Sequence, residues 1–304
     1  MRILVTGGAG FIGSYLVDKL VTENEVTVID NLSSGKKEYV NGKAVLVEGD
    51  LKDKDFVMEN VKDFDMVYHI AANPDVRLGE EDKEVHIQEN ILVTHNILEA
   101  MRKNGIHKIA FTSTSAVYGN AGVIPTPEDY GPLKTISLYA ASKLAAEAII
   151  YSYSEFGIQS WVFRLANIIG GRSGHGVIPD FIKKLDKSPQ ELEVLGNGEQ
   201  CKSYLYVKEC VDAIVYGVEN AGDEMNIFNI GSPDGVKVKE IAELVIQKKS
   251  PDAEIRYTGG SQGWKGDVPK FLLSIDKMNK LGWKPEHNSK EAVSKTIDEI
   301  LEKD

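Results

Sequence analysis

Two shortages in the sequence, of cysteine and of long apolar runs, limit what the chain can be. Cys201 and Cys210 are the only cysteines among 304 residues, and they lack the short spacing of a metal-binding or redox pair. We therefore expect neither a disulfide framework nor a metal site, and we expect a reducing compartment, the cytoplasm. No apolar run approaches the roughly 18 residues of a membrane helix, and a strand pattern begins at once, so no membrane span or signal peptide is predicted.

Positive charge is also scarce. Lysine and arginine number 35 against 46 aspartates and glutamates, which gives a formal net charge of −11 at pH 7. This balance argues against general binding of nucleic acid, so an anionic ligand has to meet specific local donors. A length of 304 residues with 42% apolar content is sufficient for one large core or for two lobes.

The chain does have a glycine-rich turn near its start, between a strand pattern and a helix pattern. Arg2 to Thr6 is a short apolar run, and an amphipathic pattern begins at Phe11. Between and just beyond them stand glycines at positions 7, 8, 10 and 13, which include the pattern G-x-G-x-x-G. The backbone N–H groups of such a turn can bind a pyrophosphate at the helix N-terminus, although glycine turns also end strands for steric reasons alone.

An acidic residue at the end of the next strand pattern makes the cofactor prediction specific. Asp30 directly follows the run Glu25 to Ile29. A carboxylate there can accept hydrogen bonds from both ribose hydroxyls of adenosine, and its charge repels the 2′-phosphate of NADP. The pattern therefore predicts NAD. The alternative is that Asp30 only caps the turn from Asn31 to Gly35.

Strand and helix patterns alternate along the first half of the chain, which predicts an α/β fold with a Rossmann-type, doubly wound parallel sheet. The strand patterns are Ile3–Thr6, Val26–Ile29, Ala44–Val47, Met66–Ile70, Lys108–Thr112 and Ser160–Arg164. We predict an NAD-binding domain over residues 1–166, with 204–230 returning to it. Residues 167–203 and 231–304 are predicted to form a smaller α/β substrate-binding lobe.

Informative residues follow the later strands, where ligands bind in such sheets. Asp50 is placed either to accept the adenine amino group or to cap a helix beginning near Lys52. Small residues follow the fourth strand at 71–73. A helix is predicted over 83–103, and its His86 and His95 lack metal-ligand partners, so we interpret both as packing or surface residues.

A hydroxyl cluster and a Tyr-x-x-x-Lys pair supply candidate chemistry. Thr114 ends the fifth strand, and after a loop over 120–137 the pair Tyr139 and Lys143 opens a helix to about residue 156. Residues four apart share one helix face. A nearby ammonium, together with a positive nicotinamide ring, is expected to lower the pKa of Tyr139 by about three units, making it a general base. The alternatives are turn-forming hydroxyls and a surface Tyr–Lys pair.

With these motifs in view, the sequence resembles the extended short-chain dehydrogenase/reductase family, and within it the UDP-glucose 4-epimerases, particularly shorter archaeal and bacterial members. The resemblance covers nearly the whole chain. Its motifs are TGGAGFIG at 6–13, DNLSSG at 30–35, GDL at 49–51, HIAA at 69–72, TSTSAVYG at 112–119, YAASK at 139–143, RLAN at 164–167 and GNGEQCKSYLYV at 196–207.

The resemblance implies roles for particular residues. The catalytic group comprises Thr114, which binds the reacting oxygen, with Tyr139 and Lys143. Residues lining the NAD site are Gly7, Gly10, Phe11, Ile12, Gly13, Asp30, Asn31, Ser33, Ser34, Gly35, Asp50, Leu51, Ala71, Ala72, Asn73, Asn90, Tyr139, Lys143 and Ala166. Residues that meet the sugar nucleotide are Thr114, Asn167, Arg172, Gly176, Val177, Glu193, Val194, Leu195, Lys202 and Tyr204. A helix from Val177 to about Asp186 would offer its N-terminus to the diphosphate.

The sequence departs from the family pattern in the substrate lobe. Lys202 and Trp264 stand where the family usually has diphosphate-binding arginines, which replaces a bidentate contact by a point charge at the first position. Lys265 or Arg256 are candidates to compensate. Phe271 falls near the bulky position beside the hexose, which favours plain over N-acetylated sugars.

The implied function is NAD-dependent epimerisation at C4 of a UDP-hexose, through a 4-keto sugar and transient NADH, in a homodimer formed by the helices at 83–103 and 139–156. Other UDP-sugar epimerases, acting on N-acetylhexosamines or uronates, remain alternatives, as does a 4-reductase. A 4,6-dehydratase is disfavoured, because its Asp-Glu pair is replaced by Ser115 and Ala116. A non-catalytic NAD-sensing protein has no need for Thr114, Tyr139 and Lys143 together.

Overall fold

A computed structural model describes residues 1–260 and 270–302 of the chain. Trp264 and Lys265, which the sequence analysis singled out at the diphosphate, lie outside the described residues.

Fourteen strands and ten α-helices make up the described chain. The strands are β1 Arg2–Thr6, β2 Glu25–Asp30, β3 Val45–Glu48, β4 Met66–His69, β5 Lys108–Thr114, β6 Gln159–Leu165, β7 Asn167–Ile169, β8 Glu191–Val194, β9 Cys201–Lys202, β10 Tyr204–Tyr206, β11 Met225–Ile230, β12 Val236–Lys237, β13 Glu254–Tyr257 and β14 Lys270–Phe271. The helices are α1 Phe11–Leu20, α2 Lys54–Asn60, α3 Leu78–Glu81, α4 Val93–Lys103, α5 Leu138–Ser152, α6 Val177–Lys187, α7 Val207–Asn220, α8 Val238–Lys249, α9 Asp276–Leu281 and α10 Ser289–Leu301.

Seven strands form one parallel sheet, in the order β11-β6-β5-β4-β1-β2-β3. The chain order runs outward from β1 through β2 to β3, and then returns to place β4 on the other side of β1. Such a reversal leaves a crevice at the carboxyl ends of the two strands beside it, where open α/β sheets bind ligands. The predicted Rossmann-type α/β fold is confirmed, and all six predicted strands are present.

The core of this sheet is apolar because strands covered on both faces carry near-continuous β-branched and aromatic residues. Leu4, Val67 and Phe111 on the strands pack with Ile97 on α4 and Ile150 on α5, and each of these side chains is at most 1% exposed. Full burial of one such side chain stabilises the fold by about 1.5–3 kcal/mol. The cluster fixes the sheet from which the candidate site residues project.

The predicted helix over 83–103 differs from the observed one in its first half. Ile87–Leu92 is a π-helical turn, and only Val93–Lys103 is regular α-helix. Hydrophobic periodicity of 3.6 does not reveal the extra residue of a π-turn, which is why the sequence predicted a continuous helix. The predicted helix at 139–156 likewise ends earlier, since α5 stops at Ser152 and a 3₁₀ turn, Tyr153–Phe156, follows.

The chain divides into two compact units. The first comprises 1–119, 131–164 and 214–228, and it contains most of the seven-stranded sheet. The second comprises 120–130, 165–213 and 229–304. Two segments group differently from the predicted domains, because 120–130 and 204–213 belong to the second unit. The boundary predicted after residue 166 lies close to the one observed after Arg164.

The second unit is built from short sheets and helices. Its strands pair as β10-β7, β12-β9-β14 and β13-β8, and α10 begins at a capping box. In that box, Asn288 Oδ1 accepts from the Glu291 N–H at 2.9 Å, and Glu291 Oε2 accepts from the Asn288 N–H at 2.9 Å. Two backbone donors at the helix start are thereby satisfied.

Candidate active site

The glycine turn between β1 and α1 leaves no space for side chains. A Cβ at Gly13 would lie 2.1 Å from the carbonyl oxygen of Gly7, and a Cβ at Gly7 would lie 2.7 Å from Ala71. Gly7 also has φ +71°, which side chains rarely adopt. Gly10, the N-cap of α1, provides no side-chain cap, and the first turn carries no acid. The first N–H groups of α1 are therefore not capped by a side chain or opposed by a local carboxylate, as a bound pyrophosphate requires.

Asp30 fastens the end of β2 to this turn. Its Oδ2 accepts from the Ala9 N–H at 2.9 Å, and its Oδ1 accepts from the Leu32 N–H at 2.9 Å. The loop after β2 also contacts the glycine turn, because the Lys36 N–H donates to the Ala9 carbonyl at 2.9 Å and Gly35 packs against Ala9. Asp30 thus caps its own turn, which was the alternative to a role in NAD binding. It also stands beside the glycine turn, as a role in NAD binding requires. The turn and the acid together fit NAD.

The residues predicted after the third and fourth strands occupy different environments. Asp50 is not a helix cap, because Asp53 caps α2, and the Asp50 carboxylate accepts from the Lys52 N–H at 2.9 Å. The Leu51 side chain lies in the core of the first unit, so only its backbone remains for a cofactor. Ala71 lies against Gly7 and donates its N–H to Thr6 Oγ1 at 3.3 Å.

Asn90 connects the fourth strand's loop with the helix of the Tyr–Lys pair. It lies in the π-turn and is 2% exposed. Its Oδ1 accepts from the Asn73 N–H at 2.7 Å, and its Nδ2 donates to Ser142 Oγ at 2.9 Å. Ser142 Oγ in turn donates to the Tyr139 carbonyl at 2.7 Å. This chain of hydrogen bonds fixes the first turn of α5.

Thr114 and Tyr139 are brought together, as predicted. Thr114 Oγ1 accepts from the Ala116 N–H at 3.2 Å, which leaves its own proton available for Tyr139, and the two side chains are hydrogen-bonded. Tyr139 is half-buried, and the His86 ring packs edge-on against it with centroids 5.7 Å apart. His86 is therefore a packing residue, as interpreted, but it packs on the candidate base.

The predicted pKa of Tyr139 is wrong in direction for the protein alone. Burial raises the pKa of Tyr139, and the hydrogen bond from Thr114 lowers it only in part. Lys143 does not offset the burial, because its Nζ lies over the Phe111 ring, 4.1 Å from the centroid. Burial also lowers the pKa of Lys143 to about 7, while Glu147 raises it. The ammonium is itself costly to bury here.

Four buried side chains beneath Lys143 were missed by the sequence analysis. Glu147 accepts from Ser113 Oγ and from two nitrogens of Arg164, Nε and Nη2, the shortest of these contacts at 2.8 Å, and Arg164 Nη1 donates to Tyr118 Oη at 2.9 Å. The available signal was spacing: Glu147 follows Lys143 by four residues, so both lie on one face of α5.

The predicted substrate residues all lie in the second unit, apart from Thr114. Asn167 faces Tyr204 in the parallel β7-β10 pair, and its Nδ2 donates to the Ser203 carbonyl at 2.9 Å. Lys202 pairs with Phe271 between β9 and β14. Helix α6 begins at Val177 after Gly176, whose φ is +107°, and no side chain caps it. The first turn of α6 does contain an acid, Asp180, whose carboxylate pairs with Lys184 at 3.0 Å. Binding of the diphosphate at this N-terminus stays a prediction.

Two predicted contacts of this unit are already engaged elsewhere. Arg256, a candidate to compensate at the diphosphate, pairs with Glu191 at 2.8 Å and with Glu193 at 2.5 Å. The Glu193 carboxylate is therefore committed to Arg256. Val194 is 0% exposed, so its side chain is core, whereas Leu195 is 38% exposed.

Within residues 1–260 and 270–302, no cluster of three or more metal-ligating side chains is present. The described helices include none long and apolar enough to cross a membrane.

Comparison with known proteins places the chain in a family. Residues 3–231 match the NAD dependent epimerase/dehydratase family. A solved structure of a UDP-galactose 4-epimerase is 44% identical, covers 100% of this chain and 99% of its own, and superposes with a TM-score of 0.91. A UDP-glucose 4-epimerase of Corynebacterium glutamicum is 31% identical over 94% of this chain and 92% of its own length. A UDP-N-acetyl-alpha-D-glucosaminuronate decarboxylase of Bacillus cytotoxicus is 35% identical over 84% and 82%.

The matched family is described as NAD dependent, and a similar UDP-glucose 4-epimerase of Thermus thermophilus, 32% identical with a TM-score of 0.88 and covering 99% of each chain, was solved in complex with NAD. The relatives differ in the reactions named for them. The family prediction and the cofactor prediction, NAD, are confirmed. The chain belongs to the NAD-dependent epimerase/dehydratase family.

Proposed function

We propose that the protein interconverts UDP-galactose and UDP-glucose by epimerisation at C4. The observation that carries this proposal is the hydrogen-bonded pair of Thr114 and Tyr139, with buried Lys143 one turn further on, in a chain whose glycine turn fits NAD. Similarity to the 44% identical UDP-galactose 4-epimerase supports the same reaction.

Residues of this chain hold and move the proton of the reacting hydroxyl. Tyr139 takes the proton of the sugar 4-hydroxyl while the C4–H bond breaks with its electron pair, which leaves a ketone at C4. Thr114 donates a hydrogen bond to the same oxygen and orients it. The reverse steps on the other face of the ketone return both hydrogens, so the atoms of the sugar are unchanged. Bound NAD supplies the positively charged ring that accepts and returns the hydride.

The protonation states of Tyr139 and Lys143 favour proton removal from the sugar only when NAD is bound. Burial holds Tyr139 in its neutral form in the protein alone. Tyr139 would lose its proton more readily with NAD bound, because a positively charged nicotinamide ring would add to the attraction of the Lys143 ammonium for a phenolate. We therefore propose that cofactor binding, and not Lys143 alone, activates Tyr139.

Two other reactions begin with the same oxidation at C4. A 4,6-dehydratase must also expel the 6-hydroxyl, which needs an acid, and Ser115 and Ala116 supply none after Thr114. A uronate decarboxylase loses carbon dioxide from the 4-keto acid. The Bacillus cytotoxicus relative has that kind of activity in its name, so the assay has to include a uronate.

We propose that the second unit binds the UDP portion, through Asn167, the start of α6 and Lys202. Lys202 is the cation we expect at the diphosphate, because it stands where the family usually has a diphosphate-binding arginine. A homodimer through α4 and α5 remains a prediction. It is supported by two large apolar side chains, Tyr151 on α5 and Phe156 in the 3₁₀ turn that follows it, which are 59% and 54% exposed.

The test is a panel of sugar nucleotides followed by NMR, using purified protein whose bound NAD has been quantified and with no NAD added. We expect UDP-galactose to yield UDP-glucose to equilibrium, without release of carbon dioxide from UDP-glucuronate. Conversion only of N-acetylated or uronate substrates would replace the UDP-hexose proposal. Net consumption of added NADH would instead indicate a reductase.

A further inference from the structure

The polar cluster beneath Lys143 is buried, charged and fully paired. Glu147 and Arg164 are each 4% exposed, and Tyr118 is 1% exposed. The Glu147 carboxylate accepts from Ser113 and from the forked guanidinium of Arg164, which also stacks its Cζ over the Tyr118 ring at 4.9 Å. Removing one partner of such a pair leaves an uncompensated buried charge, so its geometry is strongly determined.

Lys143 lies one helical turn before Glu147 without forming an ion pair with it in the described structure. Its Nζ instead lies 4.1 Å from the centre of the Phe111 ring. Arg164 and Ser113 already hydrogen-bond to the Glu147 carboxylate. The negative charge of Glu147 therefore acts on Lys143 only through space. The lysine is thus left available for the cofactor and Tyr139, while a negative charge remains close behind it.

The other titratable and charged groups near Lys143 do not replace that negative charge. The ring of His69, from β4, stacks on the Phe111 ring with centroids 5.7 Å apart, and both of its ring nitrogens contact threonine hydroxyls. Burial, together with the charge of Lys143, lowers the pKa of His69 to about 3, so His69 is neutral. Tyr139 on the same helix is a neutral phenol, and Arg164 from β6 is positive. Among these groups, only Glu147 favours the ammonium.

We propose that Glu147, held by Arg164, is a positioning residue that keeps Lys143 protonated while leaving it free to act on the cofactor and Tyr139. The proposal rests on the proposed C4 chemistry, because it assigns Lys143 a charge that this chemistry uses. Burial lowers the pKa of Lys143 to about 7, and Glu147 raises it against that trend. Without the carboxylate, Lys143 would lose its proton at a lower pH.

The decisive measurement is the titration of Lys143 itself, which does not require turnover. NAD-loaded protein with ¹³Cε-labelled lysine is titrated by NMR, and the Lys143 signal is identified by its loss in Lys143→Arg. Glu147→Gln is expected to move the Lys143 midpoint down by about one pH unit or more. Arg164→Gln is expected to move it up by a similar amount, because Glu147 then has Lys143 as its nearest cation.

A double variant covers the case in which a single variant does not fold. Glu147→Gln with Arg164→Gln removes both buried charges and is expected to lower the midpoint by less than Glu147→Gln alone. The matched control is Asp298→Asn, which removes a carboxylate from a surface ion pair with Lys248 and should leave the midpoint unchanged. A midpoint that stays at its wild-type value or rises in Glu147→Gln, or that fails to rise in Arg164→Gln, would overturn the proposal.

A kinetic readout separates this proposal from the proposed function. If the protein is an epimerase, Glu147→Gln should shift the alkaline limb of its kcat profile to lower pH by the same amount and leave KM for UDP-galactose within about twofold. If no sugar nucleotide is epimerised, the proposed function fails, while the NMR titration still decides the role of Glu147. A loss of stability with an unchanged midpoint would mean that Glu147 is only structural.

Discussion

Two arginine–carboxylate pairs, one in each unit, show how burial changes what the same chemistry does. Arg164 and Glu147 have side chains only 5% and 4% exposed, whereas Arg256 is 52% exposed and pairs with two half-exposed glutamates. A buried pair is costly to break, because either partner alone is an unsolvated charge. An exposed pair is screened by water and contributes little. The buried pair of Arg164 and Glu147 therefore fixes the geometry of a site. The exposed glutamates around Arg256 only neutralise its charge.

The same contrast extends to the two predicted halves of the site. In the first unit the cofactor residues act mainly through backbone, since glycines remove obstructing atoms and Asp30 fastens the Ala9 N–H. In the second unit the predicted contacts are side chains on short strands and at the start of α6. Substitutions in the first unit should therefore have larger effects.

The largest effect is expected from removing the candidate base. Tyr139→Phe should lower kcat by about 10²–10⁴-fold, because general acid–base catalysis contributes on that scale. Bound NAD, measured by absorbance after denaturation, should be unchanged. The control is Tyr151→Phe on the same helix, where the ring is 59% exposed and activity should be retained. Turnover by Tyr139→Phe at the wild-type rate would contradict the assigned role.

Next in size is a change in the glycine turn. Gly13→Ala should yield protein that purifies without NAD, because the new Cβ would lie 2.1 Å from the Gly7 carbonyl oxygen and force the turn open. Gly42→Ala is the matched control, since no heavy atom lies within 4 Å of its Cβ position. If Gly13→Ala retained a full complement of NAD, the turn would not be the pyrophosphate site.

The two arginines give the third prediction. Arg164→Gln should lower the free energy of unfolding in urea by about 3–5 kcal/mol, because it leaves a buried carboxylate unpaired. Arg256→Gln, the same substitution at the exposed pair, should leave the urea midpoint almost unchanged. Equal losses in both variants would show that burial does not distinguish the pairs.

The smallest expected effect is a dependence of stability on pH. The pKa of Lys143 is lowered by burial to about 7, below its usual 10.5, so between these values the unfolded chain binds the proton and the folded chain does not. The contribution of Lys143 to the free energy of unfolding therefore rises with pH between about 7 and 10.5. Lys143→Met should be more stable than wild type at pH 6, and its advantage in Tm should shrink toward pH 10. A constant difference would mean that Lys143 does not titrate in this range.

Much of the first unit could be predicted from sequence because its signals are local. The run before Gly7, the glycine spacing and Asp30 each depend on a few neighbouring residues, and the structure bears out the strand, the turn and the adjacency of Asp30. The fold followed because alternating strand and helix patterns permit few topologies.

What could not be predicted depends on contacts between distant segments. Asn90 lies in a π-turn and its side chain bonds to the distant Asn73 and Ser142, which periodicity does not encode. The raised pKa of Tyr139 in the protein without cofactor could not be predicted, because the sequence shows the Lys143 charge but not the burial of the phenol or the position of Lys143 over Phe111. Electrostatics of a buried site requires the packing around it.

The central claim is that hydrogen leaves C4 of the sugar and returns to the same carbon. UDP-galactose carrying deuterium at C4 should be incubated with the purified protein, and the product examined by NMR and mass spectrometry. We expect UDP-glucose that retains the deuterium at C4. Deuterium lost to water or found at C6, or an absence of UDP-glucose from a preparation shown to contain NAD, would contradict it.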